Sequence, residues 1–259
     1  LEDHPAIDFK GDELTTNPPA LDTFDLALFE EWSSFSESEF SQKPAIRLVQ
    51  HLSCTGGTLI CKCLAGMPNV TILSEVNPLS QLHVSARPKF APTDLTYLAL
   101  QANFPQFDEL SKEIFKADIG VISKHARHTG KYLIVREHSH SDYLVGDTVR
   151  EGSVIKSILQ DDHRLMCILT VRHPVDSYLS VVATGWMHFK PASFDEYCRR
   201  YLIFIDQNAN VPLYKYEEFV DDPPTQLKHM CQSLALPFNE DFIEIFDLNR
   251  LSGDSGRAS

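Results

Sequence analysis

Two short apolar runs, each closed by charged residues, place the strongest constraint on how this chain folds. They read KYLIVRE, residues 131–137, and RLMCILTVR, residues 164–172. Neither run alternates apolar and polar residues in the way that a strand with one face in water does. Strands buried on both faces are typical of parallel sheets that are covered by helices on each side. The two runs therefore predict interior strands of a parallel sheet.

Strand and helix patterns alternate along the chain from residue 45 onward. The predicted strands are 46–51, 70–73, 132–136, 165–171 and 212–216. The predicted helices are 59–66, 107–128, 148–159, 174–183, 193–208 and 225–234. Such alternation predicts a three-layer α/β domain with a mostly parallel central sheet of about five strands, here over residues 45–259. Residues 1–44 are acidic and rich in turn-forming residues, and they predict an N-terminal extension packed on this domain.

The composition argues against a polyanionic partner. The formal net charge is −13, whereas proteins that bind nucleic acid usually carry a basic excess. The six cysteines do not form the pattern of a disulfide framework for a chain this long, which favours a reducing, cytoplasmic location. No apolar run reaches the roughly 18 residues that predict a membrane span. A small anionic ligand stays compatible with this composition, because a local pocket need not match the net charge.

A glycine-rich turn follows the first predicted strand and opens the first predicted helix. It lies within HLSCTGGTLICKC, residues 51–63. Backbone N–H groups and the helix dipole make such a turn an anion site. The nucleotide-triphosphate version of the turn, G-x-x-x-x-G-K-[ST], carries a lysine beside its second glycine, and this turn has none.

A second anion-binding pattern follows the fourth predicted strand. Arg172 ends that strand, Pro174 suits the first turn of the next helix, and Ser180 follows Arg172 by eight positions. An arginine fork and a serine hydroxyl together suit a phosphate. Ligands of open α/β sheets bind at the carboxyl ends of the strands, so both patterns are expected at the same edge.

Four segments in order resemble the sulfotransferases that use 3′-phosphoadenosine-5′-phosphosulfate (PAPS). SCTGGT, residues 53–58, resembles the family's P-[KR]-[ST]-G-[TS]-T loop, and RHPVDSYLS, residues 172–180, keeps its Arg-to-Ser spacing. LYKYEEFVDDP, residues 213–223, and SGDSGR, residues 252–257, resemble two later segments. The resemblance implies a P-loop-like fold related to nucleotide kinases. It assigns cofactor binding to Ser53, Cys54, Thr55, Gly56, Gly57, Thr58, Arg172, Ser180, Gly253, Ser255, Gly256 and Arg257.

The first loop departs from the family pattern at two positions. Cys54 stands where the family has Lys or Arg, and Gly57 stands where Thr or Ser is usual. A cation that would meet the sulfonate is therefore missing from its expected place. Arg136, at the end of the third strand, is a candidate to replace it, and Arg257 is another. Lys62 is the less favoured candidate, since it sits a turn into the helix.

Two residues are candidates for the general base. REH, residues 136–138, resembles the K-T-H tripeptide of the family branch that acts on small molecules, which points to His138. TILSEVNP, residues 71–78, places Glu75 near the glutamate of the branch that acts on protein tyrosine. An imidazole titrates near neutral pH, whereas a glutamate needs burial to compete. The sequence predicts His138 as the base, with Glu75 orienting it or the acceptor.

The resemblance predicts a PAPS-dependent sulfotransferase that moves a sulfonate in line to an acceptor hydroxyl or amine, with Arg136, His138 and Glu75 in the catalytic site. PAPS carries its own good leaving group, so no metal is expected, and no histidine pair has zinc-site partners at the usual spacing. Two alternatives stay open: a P-loop kinase or NTP-binding protein, and a nucleotide-binding member of the fold without catalysis. A hydrolase built on Ser255 is disfavoured because GDSG does not satisfy G-x-S-x-G.

Overall fold

The computed structural model describes residues 43–80, 82 and 92–254. The strands of this part are β1 (Ala45–His51), β2 (Val70–Val76), β3 (Tyr132–Glu137), β4 (Val145–Gly146), β5 (Arg164–Val171), β6 (His188–Phe189) and β7 (Leu213–Lys215). Its helices are α1 (Gly57–Ala65), α2 (Leu95–Gln101), α3 (Phe107–His128), α4 (His140–Tyr143), α5 (Val154–Leu159), α6 (Pro174–Thr184), α7 (Phe194–Asp206), α8 (Tyr216–Asp221), α9 (Pro223–Ser233) and α10 (Phe242–Ile245), followed by a 3-10 turn, Phe246–Leu248.

Five strands form the central sheet in the order β2-β3-β1-β5-β7, and every pair in it is parallel. The predicted mostly parallel sheet of about five strands is therefore confirmed. The two buried runs lie on either side of β1, because β1 pairs with β3 and with β5. Strands β4 and β6 make a separate two-stranded ribbon.

The two faces of the sheet carry separate cores, because successive side chains of a strand point to opposite faces. On one face Val49, Ile134 and Ile168 pack against α1, α9 and α10. On the other face Leu48 and Val135 pack against α3 and α5. A third cluster extends this second face with aromatic residues of α4 and α7. The three layers predicted from the sequence are thus present.

Local capping explains where helices differ from their predicted bounds. The helix predicted at 148–159 begins only at Val154, because Ser153 accepts a hydrogen bond from the Lys156 N–H at 3.0 Å and caps it there. The helix predicted from residue 225 begins at Pro223, after the Asp222 cap. Helix α2 was not predicted, and it begins at the Asp94 cap. Helix α3 has the predicted bounds, with acids in its first turn and basic residues in its last, as the helix dipole favours.

Some predictions fall on residues outside the described part of the chain. The extension predicted for residues 1–44 lies outside it as far as residue 42, and Ser255, Gly256 and Arg257 also lie outside it. The division into residues 1–44 and 45–259 stays a prediction.

Candidate active site

The turn between β1 and α1 forms the centre of the site. α1 begins at Gly57 with no acidic residue in its first turn, and no side chain of residues 43–80, 82 or 92–254 caps it. The first N–H groups of a helix have no partner inside the helix, and the helix dipole attracts an anion there. Thr55 holds the shape of the turn by donating its hydroxyl to the Leu52 carbonyl oxygen at 2.7 Å. The turn therefore presents backbone donors to an anionic group.

His51 explains why Gly57 stands where Thr or Ser is usual. The His51 ring lies directly beneath the turn, and a Cβ at residue 57 would come within 2.5 Å of that ring. Burial lowers the pKa of His51 to about 3, with the Arg136 charge acting in the same direction. The neutral ring donates from Nδ1 to the Leu52 carbonyl oxygen at 2.9 Å and accepts at Nε2 from Arg136. A β-branched residue at position 57 would displace this ring.

Arg136 joins four parts of the site, and its side chain is only 3% exposed. Its Nε donates to His51 Nε2 at 2.7 Å, and Nη1 donates to Ser74 Oγ at 3.0 Å and to the Ser252 carbonyl oxygen at 3.5 Å. Its Nη2 donates to Thr58 Oγ1 at 2.9 Å and pairs with Glu75 Oε1 at 2.6 Å. A guanidinium has five N–H donors, so each has a protein partner.

Glu75 reaches this network through an irregularity in β2. The pairing of β2 with β3 shifts register between Leu73 and Val76, and Glu75 has a left-handed backbone at φ 60°. Bulges of this kind re-aim a side chain beside functional sites. Burial raises the pKa of Glu75, while the Arg136 charge opposes the rise. A neighbouring carboxylate and guanidinium thus lie at the end of β2.

His138 lies beside the same carboxylate. Its backbone N–H donates to the Val76 carbonyl oxygen at 2.9 Å, which fixes the chain just after β3. Its Nδ1 lies 3.4 Å from Glu75 Oε2. That contact is longer than an ordinary hydrogen bond, and such contacts commonly tighten when substrate binds.

A second histidine, His140, contacts the first residue of the loop. Its Nδ1 lies 2.7 Å from Ser53 Oγ, while its Nε2 is buried and has no hydrogen-bond partner among the described residues. Burial lowers the pKa of His140 to about 3, so the ring is neutral near pH 7. The His188 ring meets it edge-on, with 5.4 Å between ring centroids. The Ser53 and His140 pair ties the loop to the segment that carries His138.

Glu137 anchors that segment from below. It is fully buried, accepts from Gln50 Nε2 at 2.6 Å, and accepts a short hydrogen bond from Ser153 Oγ. Burial raises the pKa of Glu137 to about 7, a rise that these two hydrogen bonds oppose and the nearby Asp142 carboxylate reinforces.

Arg172 and Ser180 form the opposite end of the site. The Arg172 guanidinium stacks over the Tyr216 ring at 5.1 Å, and its Nη1 lies 3.5 Å from the Cys54 carbonyl oxygen. Cys54 itself has a left-handed backbone at φ 63° and packs against the aromatic cluster. Ser180 lies on α6 and faces the same cavity. The strand ends therefore bring the two predicted anion sites together.

The turn at residues 251–254, which we call the C-terminal turn, contacts residues of β2, β3 and α1. The Ser252 carbonyl oxygen accepts from Ser74 Oγ at 2.8 Å as well as from Arg136. Gly253 lies close to Glu75: a Cβ added at residue 253 would come within 2.3 Å of the Glu75 Cγ. Asp254 Oδ2 pairs with Lys62 Nζ at 2.7 Å.

These parts surround a cavity of about 1290 Å³. Predicted site residues that line it are Ser53, Cys54, Gly56, Gly57, Thr58, Glu75, Arg136, His138, Arg172, Ser180 and Gly253. Thr55 does not line it and is buried below the turn. Within the described residues, no group of three or more His, Cys, Asp or Glu side chains is arranged to hold a metal ion. No helix in that part of the chain has the length and apolarity to cross a membrane.

Comparison with known proteins identifies the fold. No protein-family model and no curated protein matches the sequence. A solved structure does match, the sulfotransferase domain of the olefin synthase from Synechococcus PCC 7002. The TM-score is 0.52 at 18% identity, and the match covers 82% of this chain and 80% of that one. The chain has the sulfotransferase fold.

Two further sulfotransferase structures match with lower scores. The enzyme from Alicyclobacillus acidocaldarius gives a TM-score of 0.42 at 14% identity, over 76% of this chain and 87% of that one. Mouse sulfotransferase SULT7A1, complexed with PAP, gives a TM-score of 0.42 at 14% identity, and the match covers 85% of this chain and 69% of that one. We base the fold on the olefin synthase domain alone.

Sequence reasoning missed several residues of this sulfotransferase fold that line or support the cavity. His51, Tyr216 and Asp254 were not singled out, and Lys62 was ranked below Arg136. His51 ends β1 and Tyr216 directly follows β7. Ligands bind at the carboxyl ends of parallel strands, so this position would have marked both as candidate site residues. Nothing in the sequence signals the contact between Lys62 and Asp254.

Proposed function

We propose that this chain is a sulfotransferase that uses PAPS to sulfonate the hydroxyl or amine of an acceptor. One observation carries the proposal: two anion-binding elements, the loop at residues 53–58 and Arg172, face the same cavity. The Arg172 guanidinium lies within 3.5 Å of the loop backbone at Cys54. PAPS carries anionic groups at both its 5′ and its 3′ positions, so it calls for two such elements. The sulfotransferase fold agrees with this assignment.

The donors around the cavity fit such a ligand. Within the described residues, the N-terminus of α1 has no side-chain cap, and its first turn has no acidic residue. Its first backbone N–H groups have no partner inside the helix, and they would hold the 5′ end together with Ser53, Thr58 and the loop glycines. Arg172 and Ser180 would hold the 3′-phosphate through a charged fork and a hydroxyl. Gly253, and beyond the described residues Ser255, Gly256 and Arg257, would cover it. When bound, PAPS supplies an activated sulfonate on a good leaving group.

We assign the general base to His138. If its Nδ1–H donates to Glu75, the lone pair of the ring lies on Nε2, where it accepts the acceptor's proton. A neutral imidazole titrates close to working pH and suits this role without special tuning. Glu75 then orients the ring and stabilises the imidazolium that forms, as a carboxylate does in other histidine-based sites.

Arg136 fixes the position of Glu75 in this scheme. It places positive charge below the loop and holds the carboxylate at 2.6 Å. Its charge stabilises the negative charge that develops at the loop during transfer, even where its N–H groups make no direct contact, because charges act strongly in a buried site.

The proposal is tested by a thermal-shift panel together with a transfer assay. PAP, ADP and ATP with Mg²⁺ are compared at one concentration, and a ligand that binds only the native state raises Tm by mass action. We expect PAP to raise Tm clearly more than ADP, because ADP lacks a 3′-phosphate for Arg172. Equal shifts from PAP and ADP would remove the ground for the assignment.

Cys54 favours a second candidate, a nucleotide-binding protein of this fold without transferase activity. The expected loop cation is absent there, and the Cys54 side chain packs against apolar residues. This candidate predicts the same Tm shift from PAP but no transfer of labelled sulfonate from PAPS to a panel of alcohols, phenols and amines. A P-loop kinase would instead respond to ATP with Mg²⁺ and not to PAP.

A further inference from the structure

Lys62 lines the cavity and pairs with Asp254, and the sequence predicted neither contact. It lies on α1 one turn after Thr58, so both side chains lie on the same face of the helix. Long helical side chains lean toward the N-terminus of their helix, which directs Lys62 toward the loop. The structure places it in the cavity wall with its side chain 18% exposed and its Nζ at 2.7 Å from Asp254 Oδ2.

Arg136 is poorly suited to contact an anion in the loop directly. Its five N–H groups are all engaged by His51, Ser74, Thr58, Glu75 and Ser252. A direct contact with a ligand would therefore require it to release a protein partner. Its planar fork is also fixed in orientation by these partners, whereas an ammonium turns freely on a flexible stem.

Lys62 has donors to spare. An ammonium has three N–H donors, and Asp254 is the one acceptor that the structure places on Lys62 within the described residues. It can thus donate to an anion while it still contacts Asp254, but the carboxylate draws the ammonium toward itself and repels the anion. We propose that Lys62 is the cation that meets the anionic group in the loop, in place of the missing cation at Cys54, and that Asp254 competes with this anion for it. The identity of the anion as the 5′ end of PAPS rests on the proposed function; the role of Lys62 does not.

The competition gives the two partners of one ion pair opposite effects. Removing the Lys62 charge removes a contact to the anion, so affinity falls. Removing the Asp254 charge frees the same ammonium and takes a negative charge away from the site, so affinity rises. A purely structural ion pair would instead give both substitutions the same sign.

The test measures the affinity of the folded full chain for PAP and for inorganic pyrophosphate by calorimetry at fixed ionic strength. For Lys62→Met we expect Kd to rise about 10-fold or more with both ligands, as the loss of a charge-assisted contact predicts. For Asp254→Asn we expect Kd to fall several-fold. The matched control is the pair Lys116 and Asp162, which has the same 2.7 Å separation but is about half exposed and does not line the cavity. Lys116→Met and Asp162→Asn should leave both Kd values unchanged.

The results separate this inference from the proposed function. If pyrophosphate shows the expected opposite changes while PAP does not bind, the anion site stands and the PAPS assignment fails. If PAP binds the wild-type chain but Lys62→Met binds it equally well, the role of Lys62 is wrong and the PAPS assignment stands. Weaker binding by both Lys62→Met and Asp254→Asn makes the pair structural and overturns the inference. If the wild-type chain binds neither ligand, both fail.

Discussion

Two buried arginines show how differently this chain uses the same side chain. Arg200, on α7, is fully buried and donates to the carbonyl oxygens of Tyr143, Val145 and Gly146, at 3.1, 3.4 and 2.9 Å. Its Nε pairs with Glu196 at 2.6 Å. Arg136 is almost as buried, but four of its five partners are side chains.

The difference lies in what the partners can do. A backbone carbonyl group cannot rotate independently of the chain, and leaving a buried one such as that of Tyr143 without its donor is costly. Side chains such as Ser74, Thr58 and Glu75 can rotate, exchange partners or take up a proton. Arg200 therefore holds the chain at the β4–β6 ribbon, whereas Arg136 holds a set of groups that can rearrange around a ligand.

Arg200→Met should have the largest effect on stability. It removes the donor of the buried Tyr143 carbonyl oxygen and of the part-buried carbonyl oxygens of Val145 and Gly146, and it breaks the buried pair with Glu196, so we expect the free energy of unfolding to fall by about 3–5 kcal/mol. Urea unfolding measures it, and PAP affinity of the folded fraction should not change. The control is Arg199→Met, which removes an exposed arginine from the same Glu196 and should cost less than about 1 kcal/mol. Equal losses in the two variants would break the comparison.

Arg136→Ala should cost less stability, about 2–3 kcal/mol, although breaking a buried ion pair can cost more. The expected loss of stability is smaller because two partners of Arg136 have alternatives. Ser74 already donates to Ser252, and Glu75, whose pKa is raised by burial, can bind a proton. Turnover should fall while PAP affinity changes little, which calorimetry and the transfer assay would measure together. A variant with full activity would show that Arg136 has no part in alignment.

His138→Ala should lower turnover on the order of 10²-fold or more, with PAP affinity near that of the wild-type chain. Glu75→Gln should be milder, because an amide still lies beside the ring. His128→Ala, at the exposed end of α3, serves as the control. If Glu75→Gln is inactive and His138→Ala keeps most activity, the two roles are reversed.

Arg172→Ala extends the comparison to an arginine whose donors are mostly available. It contacts one carbonyl oxygen at 3.5 Å and the Tyr216 ring. Loss of a charge-assisted phosphate contact of about 1.5–3 kcal/mol predicts a Kd for PAP that is about 10-fold to 100-fold higher. The Kd for ADP should not change, and an equal loss for ADP would place the 3′-phosphate elsewhere.

Glu137→Gln should have the smallest effect and should depend on pH. Because the pKa of Glu137 is raised to about 7 in the fold, the folded chain binds its proton more tightly than the unfolded chain. That contribution is present below the ordinary glutamate pKa and is lost as pH rises through about 7, so wild-type stability should fall by about 1 kcal/mol between pH 6 and pH 8. Urea unfolding of both proteins at each pH tests this; an equal pH dependence in Glu137→Gln would assign the loss to another group.

The fold was predictable because its signals are local. The buried runs around β3 and β5 identify a parallel sheet from adjacent residues, and charged residues mark both ends of α3. The start of α5 was missed because it depends on the Ser153 cap and on Gly152, whose left-handed backbone at φ 92° stops a helix. Loops at strand ends could be placed at one edge of the sheet, since parallel topology alone dictates this.

The side-chain partners inside the site could not be predicted. Arg136 and His51 are 85 positions apart, and the direction of each side chain depends on its neighbours in the finished core. The bulge that turns Glu75 toward Arg136 is likewise invisible in TILSEVNP. Lys62 was ranked low because a helical position specifies a face but not what covers it, and Asp254 reaches that face only through the C-terminal turn.

The hydrogen bonds of the site are completed only when Ser252 has been synthesised. Its carbonyl oxygen accepts from Ser74, 178 positions earlier, and from Arg136, 116 positions earlier. A chain grows by about 5–20 residues per second, so roughly 10–35 s separate the making of Ser74 from that of Ser252. Arg136 and strands β3, β5 and β7 are made within that interval, and Arg136 lacks one of its acceptors until Ser252 is added. The loop at residues 53–58 is thus made early, whereas the neighbouring Arg136 gains its last acceptor only with Ser252.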